Sequence, residues 1–448
     1  MKNILYILIA SCILAACDKK LDISPSDAIP GDQAFSTDEN VKKALNGAYD
    51  AMTTDYLLNG DLQLYSELLG ADGEITWTGT YGQPRQIFEK QILVNNDYVA
   101  STWDNAYAAI NICNNILDAI DVVKPEDQDR VKGEALFIRG EMYFELVRFF
   151  GKPYSAGDVN TNLGVQIVTT PTKGSITEAN YVPRSTVAET YDRVLNDLTE
   201  AESLLPEENG FYATKYAAAA ILSRVYLQME DFAKARDEAN TVIESGEYSL
   251  TSTYAEAFNN DENSSEDIFA VQVSEQDGSN DFNLFWSIPQ YGGRSGDVDI
   301  EQKHLDLYEP DDARLALFYE DPHHVWRSGK WQQYAKNIPI VRLGEMYVTR
   351  AECNFRLGTS VGATPFEDIE TIRARSGLST TQSYITLNNI IMERHLEIAH
   401  EGERIHDVKR LRQSVDGYDY DANELVLPIP INQIIIVGKD ILKQNDGY

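Results

Sequence analysis

The sequence predicts a mainly α-helical protein, a scaffold of tetratricopeptide-like helical hairpins interrupted by long irregular insertions. Three observations predict it. Mostly apolar residues recur at helical spacing in paired segments, as in Tyr107, Ile110, Cys113, Asn114, Leu117 and Ile120. One pair, at about 213–229 and 232–245, carries the small and aromatic residues of a tetratricopeptide unit. The segments between pairs are long, above all about 247–338. Loops beyond roughly 12–15 residues are usually functional.

The elements follow in order. Met1-Lys2-Asn3 is a short positive start, and Ile4 to Ala16 is an apolar run broken only by Tyr6, Ser11 and Cys12. Spanning a bilayer takes roughly 20 apolar residues, so the run suits a signal peptide, residues 1–16. It ends Leu14-Ala15-Ala16-Cys17, small residues followed by a cysteine, which is the bacterial lipoprotein pattern. Cys17 is therefore the expected lipidation site, and acyl chains there anchor the chain at roughly 0.8 kcal/mol per buried methylene. An ordinary secretory signal with Cys17 present by chance is the alternative. Residues 17–34, with Pro25 and Pro30, read as a tether, and 35–448 as the folded domain.

Within that domain a helical face starts at Val41 with Ala44, Leu45, Ala48, Tyr49 and Met52. Residues 55–100 read as mostly irregular around a Gly-rich centre. A helix from Trp103 pairs with one at about 130–150, which stops at Gly151-Lys152-Pro153. Residues 151–184 read as loop. Three helices follow at about 186–204, 213–229 and 232–245. In the last two, Leu222 and Ser223 precede Tyr226, Asp231-Phe232 makes the turn, and Ala235 and Ala239 allow close approach. A looser pair recurs at about 340–357 and 364–375.

Composition narrows the function classes. A formal net charge of −33 disfavours nucleic acid and anionic lipid, which need clustered Lys and Arg. Cys113 and Cys353 remain after Cys12 leaves with the signal and Cys17 is acylated. Both fall in expected helices, where small buried apolar residues are the simplest reading and a disulfide the other.

The C-terminal third carries specific motifs. Residues 338–358 read IPIVRLGEMYVTRAECNFRLG, 370–378 read ETIRARSGL, 392–410 read MERHLEIAHEGERIHDVKR, and the chain closes with LVLPIPINQIIIVGKDILKQNDGY. With the acylation cysteine, these resemble the SusD/RagB family of Bacteroidetes outer-membrane lipoproteins. Arg342, Glu345, Arg350, Ala351 and Glu352 match one family helix. Glu393, Arg394, Glu397, Glu401, Gly402, Arg404, Asp407, Lys409 and Arg410 match a second, and Pro428, Pro430, Gln444, Asn445, Gly447 and Tyr448 the C-terminal motif. Softer matches lie at Trp103, Tyr107, Asn111, Asn114, Glu134, Arg139 and Tyr143. The resemblance implies an N-terminal SusD-like part over about 35–250 and a C-terminal RagB/SusD part over about 251–448. It also implies attachment to the outer membrane facing the exterior, and a SusC-like TonB-dependent transporter as partner. Glu393, Arg394, Glu397 and Arg404 are expected to make ion pairs between hairpins rather than to catalyse.

No catalytic fingerprint is present, neither G-x-S-x-G, H-E-x-x-H nor a P-loop. Glu67, Asp72 and Glu74 could imitate a glycosidase pair only if spaced roughly 5–9.5 Å apart. His395 and His400 are five apart and share no helix face, and Asn259–Glu266 lacks the glycine of a calcium loop. Neither cofactor nor metal is expected. Aromatic residues in the insertions point instead to binding, since a sugar's C–H face stacks on a flat ring. Trp77, Tyr81 and Arg85 from one insertion, with Trp286, Tyr291 and Arg294 from another, are the candidate ligand-binding residues, with Trp326 and Trp331 next. The expected function is capture of a glycan and its transfer to the transporter. Capture of peptides by the same complex, a lipid-anchored glycoside hydrolase, and a scaffold binding only proteins are the alternatives.

Cys17→Ala is expected to abolish labelling by radioactive palmitate and release the protein from the membrane fraction. Label surviving in the variant would refute the anchor.

Overall fold

The computed structural model describes residues 34–174, 176–276 and 280–448. The expected signal peptide, Cys17 and the tether up to residue 33 lie outside the described residues. Helix α1 (Asp38–Met52) starts at Thr37, whose hydroxyl accepts the Asn40 N–H, and buries Val41, Leu45, Ala48 and Met52. The stretch expected to be irregular is more ordered than its sequence suggests. It holds α2 (Asp61–Leu69), the short strand β1 (Ile75–Trp77) and α3 (Gly82–Phe88). Every residue of α2 is buried. A helix enclosed on all sides shows no polar face, so its period could not be read.

The scaffold follows. Helix α4 (Asp97–Asp118) begins earlier than Trp103, because the Asn96 side chain caps it through Tyr98 and Val99 N–H. Pro125 opens α5 (Pro125–Phe150) at a position where its missing N–H leaves no helical bond unmade. Next come α6 (Val187–Leu204), α7 (Lys215–Gln228) and α8 (Phe232–Glu244), close to the expected three helices. Gly140 lets α5 meet α6, since a Cβ there would stand 2.8 Å from Leu198 Cγ. Between α7 and α8 the tetratricopeptide reading holds: Ser223 donates to the Ala235 carbonyl at 2.9 Å, and Ala235 and Ala239 are fully buried.

The long insertion is not structureless. It contains β2 (Asp267–Val271), α9 (Asp281–Trp286), β3 (Val298–Ile300), α10 (Gln302–Leu305), β4 (Phe318–Glu320) and β5 (Trp326–Ser328), and runs into β6 (Ile338–Arg342). Strands of three residues are too short to display a period of two. One antiparallel sheet has the order β1-β3-β5-β4, and β2 pairs with β6 in a second. The array resumes with α11 (Leu343–Leu357), α12 (Pro365–Arg375), α13 (Leu387–Glu397), α14 (Arg404–Arg410) and α15 (Ile431–Val437). Packing runs from α4 to α5, α6, α7 and α8 in turn, then from α8 to α11, and from α11 to both α12 and α13. The structure is thus mainly helical, a hairpin array with inserted strands. Among the described residues no helix is long and apolar enough to cross a membrane. Cys113 and Cys353 are free and buried, as the simpler reading had it.

Charges knit the C-terminal helices together from inside. Arg342 reaches Glu266 at 3.0 Å and both Glu397 and Glu401 at 2.7 Å. Arg394 bridges Glu345 at 3.1 Å and Asp407 at 3.0 Å, while Arg224 of α7 meets the same Glu345 at 2.6 Å. Arg314 and Arg373 converge on Glu393. Burial raises the pKa of the Asp407 carboxyl, but Arg394 and Arg410 outweigh it and hold the group at about 2. The family helix carrying Glu393, Arg394 and Glu397 is therefore scaffold.

A buried charge stripped of its partner is strongly destabilising. Arg342→Ala is expected to lower unfolding free energy by about 3–5 kcal/mol, read from urea denaturation. Lys43→Ala, which removes an exposed pair with Glu39, is expected to leave the same curve in place.

Candidate functional site

Two insertions far apart in sequence meet on one side of the scaffold. Strand β1 pairs antiparallel with β3 in the register Ile75↔Ile300, Thr76↔Asp299 and Trp77↔Val298. Thr78 N–H extends the pairing to the Asp297 carbonyl at 2.8 Å. The loop beyond α9 is tied down by its own backbone: Arg294 N–H donates to the Leu284 carbonyl at 2.8 Å, and Gly296 N–H to Ser287 at 2.8 Å. At Gly293 the chain passes so close to Ser287 that a Cβ would lie 2.2 Å from its carbonyl oxygen.

Within this junction the guanidinium of Arg294 stacks on the ring of Tyr81, 4.2 Å from its centroid. Asp297 fixes the same guanidinium at 2.6 Å, and the Thr80 hydroxyl accepts a further bond from it. Tyr81 stays 39% exposed. Its ring stands edge-on to Tyr98 at 6.4 Å, and Tyr98 in turn to Tyr56 at 6.2 Å. On the other side Tyr334 packs over Gly292, and Tyr291 meets Tyr319 edge-on at 5.7 Å. Tyr56, Tyr98 and Tyr81 thus form a phenol band with Tyr56 and Tyr81 its open rings, and Tyr334, at Gly292, is exposed as well.

The two tryptophans expected to form the platform are elsewhere. Trp77 is 3% and Trp286 1% exposed. Alternation along β1 turns Ile75 and Trp77 inward, where Trp77 meets Phe285 edge-on at 5.5 Å. Helix α9 buries all but one of its residues, and Trp286 lies against His400 at 5.0 Å. Neither indole offers a face to solvent, so both pin the insertions to the core. Trp331 is buried as well and donates to the His400 carbonyl at 2.9 Å. Arg85 is exposed and bonds the Gly79 carbonyl, bracing the Tyr81 loop. Of the six expected residues, the structure joins Tyr81 and Arg294 directly and places Arg85 and Tyr291 beside them. Sequence reasoning missed Tyr56, Tyr98, Tyr319 and Tyr334, because it weighted indoles over phenols in a chain with 25 tyrosines.

A roomier cleft of about 360 Å3 lies between α4, the loop at 166–182 and α15. Several of its polar groups are already committed. Asn114 bonds Val168 and Arg139, Tyr107 donates to the Gln166 carbonyl, and Asn111 accepts from Thr172 N–H. The junction, with its open aromatic rings, is the candidate that suits a sugar's C–H face.

The acidic residues considered for hydrolysis face no cleft. Glu67 and Glu74 border a cavity of about 10 Å3, far too small for a sugar ring, and Asp72 pairs with Lys303. Burial pushes the Glu67 carboxyl up to about 8. Glu74 is also buried, but His395, His304 and Arg404 hold its pKa well below the usual carboxylate range. Glu74 Oε2 lies 2.8 Å from His304 Nδ1 and 2.7 Å from His395 Nε2, a donor set that could hold a metal ion. Reading spacing within one helix could not reveal it, because the three residues come from three segments.

The comparisons with known proteins fit this architecture. Residues 19–227 match a SusD-like family model described as starch-binding and associating with the outer membrane, and residues 243–426 match the SusD family model. The chain belongs to the SusD/RagB family. It is 24% identical to SusD-like protein P2 of Formosa agariphila over 100% of this chain and 99% of that one. The starch-binding protein SusD of Bacteroides thetaiotaomicron is 24% identical over 75% of this chain and 76% of its own. A SusD superfamily structure from Bacteroides vulgatus superposes with a TM-score of 0.82 at 28% identity, covering 92% of this chain and 99% of that chain.

Beneath the phenol band two acids share a buried space. Asp61 accepts from the Tyr65 hydroxyl at 2.9 Å, and burial together with Asp281 raises its pKa well above the usual range. Burial, then Asp55, pushes Asp281 up to about 7. Crowding of the two acids disfavours charge on both. Unfolded, an aspartate releases its proton near pH ~3.9, so the folded chain holds a proton the unfolded chain has lost. That stability is fully present below pH ~4 and lost as pH rises through about 7. Asp281→Asn is expected to gain in melting temperature relative to the parent as pH rises from 4 to 7. A difference independent of pH would show that the fold does not hold Asp281 protonated.

Proposed function

We propose that this chain is a lipid-anchored binding protein of the outer membrane that captures a glycan at the Tyr81–Arg294 junction. It then delivers the glycan to a SusC-type TonB-dependent transporter. The observation that carries the reading is the exposed Tyr81 ring, clamped by Arg294 and flanked by further phenols. A rigid aromatic surface loses little entropy on binding and suits the apolar face of a sugar. The starch-binding relative and the family description support a carbohydrate ligand. The acidic surface favours a neutral or cationic ligand over a polyanionic one. Anchoring through Cys17 and the transporter partner rest on the sequence pattern and on family membership.

A glycan and peptide array on the mature protein separates this reading from peptide capture: binding confined to peptides would replace the ligand class. With a binding glycan in hand, Tyr81→Ala and Arg294→Ala are each expected to weaken affinity by about 1–3 kcal/mol, by analogy with bases stacked on aromatic rings. Isothermal calorimetry would measure this; the melting temperature is expected to change little for Tyr81→Ala and to fall for Arg294→Ala, which strips the buried Asp297 of its partner. Trp286→Ala is expected to behave in the opposite way, losing about 3–5 kcal/mol of stability before any specific loss of binding.

A further inference from the structure

Glu74, His304 and His395 are brought together from three parts of the chain. Glu74 immediately precedes β1, and the Glu301 N–H bonds its carbonyl at 2.9 Å, so the β1–β3 pairing delivers His304 on α10 to its side chain. His395 reaches the same oxygen from α13. The three ligand atoms lie within 4.8 Å of one another. From this geometry we infer that Glu74, His304 and His395 form a binding site for one divalent transition-metal ion of the zinc type.

The chemistry of the set fits. Two imidazoles and one carboxylate are a donor combination that zinc accepts at roughly 2.0–2.2 Å. At those bond lengths tetrahedral ligand atoms stand roughly 3.3 Å apart, so the two Glu74–histidine contacts, now 2.8 and 2.7 Å, would open by about 0.5 Å, and the two histidine nitrogens, within 4.8 Å of each other, would settle to the same spacing. The space is of ionic size: the adjoining cavity is about 10 Å3 and is bordered by Glu67, His400 and Arg404 as well.

Two further observations point to a ligand. His400 is 2% exposed, borders this cavity, and neither of its ring nitrogens has a hydrogen-bond partner among the described residues. A buried imidazole with both nitrogens unmatched is unusual and marks this cavity as one whose polar lining is incompletely satisfied. The outer contacts are also in place. When His304 binds metal through Nδ1, its other nitrogen carries the proton, and the Tyr308 hydroxyl stands 3.3 Å from that nitrogen. Arg404 holds the second oxygen of Glu74 at 3.1 Å and leaves Oε2 to the metal. The side chain of His395 is 16% exposed, which gives the ion a way in. This site is separate from the phenol band and does not depend on the ligand captured there.

The test is a zinc titration of the mature protein after chelator treatment, using zinc chloride alone in isothermal calorimetry. One equivalent per chain is expected, with a rise in melting temperature. Cobalt in place of zinc should give the visible absorption of a low-coordinate site with nitrogen ligands. His395→Asn and Glu74→Gln should each weaken zinc binding by at least about tenfold. Circular dichroism would verify their folds, and His395→Asn, at the partly open edge, is the variant least exposed to misfolding. Absence of zinc binding by the stripped parent protein would overturn the inference. So would zinc binding that both folded variants retain unchanged, and the histidines would then be hydrogen-bonded struts between β1 and α13.

Discussion

A guanidinium taken out of water must meet carboxylates or leave an uncompensated charge in the core, and the packing of the C-terminal half depends on that constraint. Arg342, Arg314, Arg394 and Arg410 are all buried, and each faces acids from a different element. Glu345 alone joins α7 to α13 through Arg224 and Arg394. Such pairs contribute little net stability compared with well-packed apolar residues. What they contribute is discrimination. A one-turn slip of α13 along α11 would leave several charges unpaired at once, which apolar side chains would tolerate. The lattice fixes α13 and α14, and these hold His395 and the turn at His400 beneath the inserted strands.

The scaffold was largely legible because its signals are periodic. Helices α6, α7 and α8 are amphipathic or small-residue helices with clear turns, and their limits fell within a few residues of those read from sequence. The resemblance to the SusD/RagB family rested on the charged motifs that form the buried lattice, so its strongest residues were structural. Legibility failed where burial is complete or elements are short. Helix α2 shows no polar face, and β1 and β3 have three residues each.

The proposed binding surface was legible in outline and not in detail. The meeting of the two insertions could be argued from a repeat array, which places its insertions on shared faces. Which rings face out could not. Trp77 and Trp286 carry the largest apolar areas, and in loops spread over a scaffold those areas serve first as anchors. Tyrosine has a polar end that tolerates water, so the exposed positions fall to Tyr56, Tyr81 and Tyr334. The histidine–carboxylate cluster lay beyond any local pattern, since its members meet only through the β1–β3 pairing and the position of α13.

That strand pairing also bears on the order in which the molecule assembles. Thr78 and Asp299 bond at 2.9 Å although they are 221 residues apart. Helical hairpins close through neighbours and form fast, whereas a contact of such long range must first meet a large loop-closure entropy. Strand β1 therefore waits unpaired while the hairpins around it condense, and the surface around Tyr81 is among the last parts to form. A nascent chain halted before residue 299 would carry Tyr81 and Arg294 but lack most of the β1–β3 pairing that holds their two segments together. Completion of the Tyr81–Arg294 junction thus reports that the chain has folded past its second insertion.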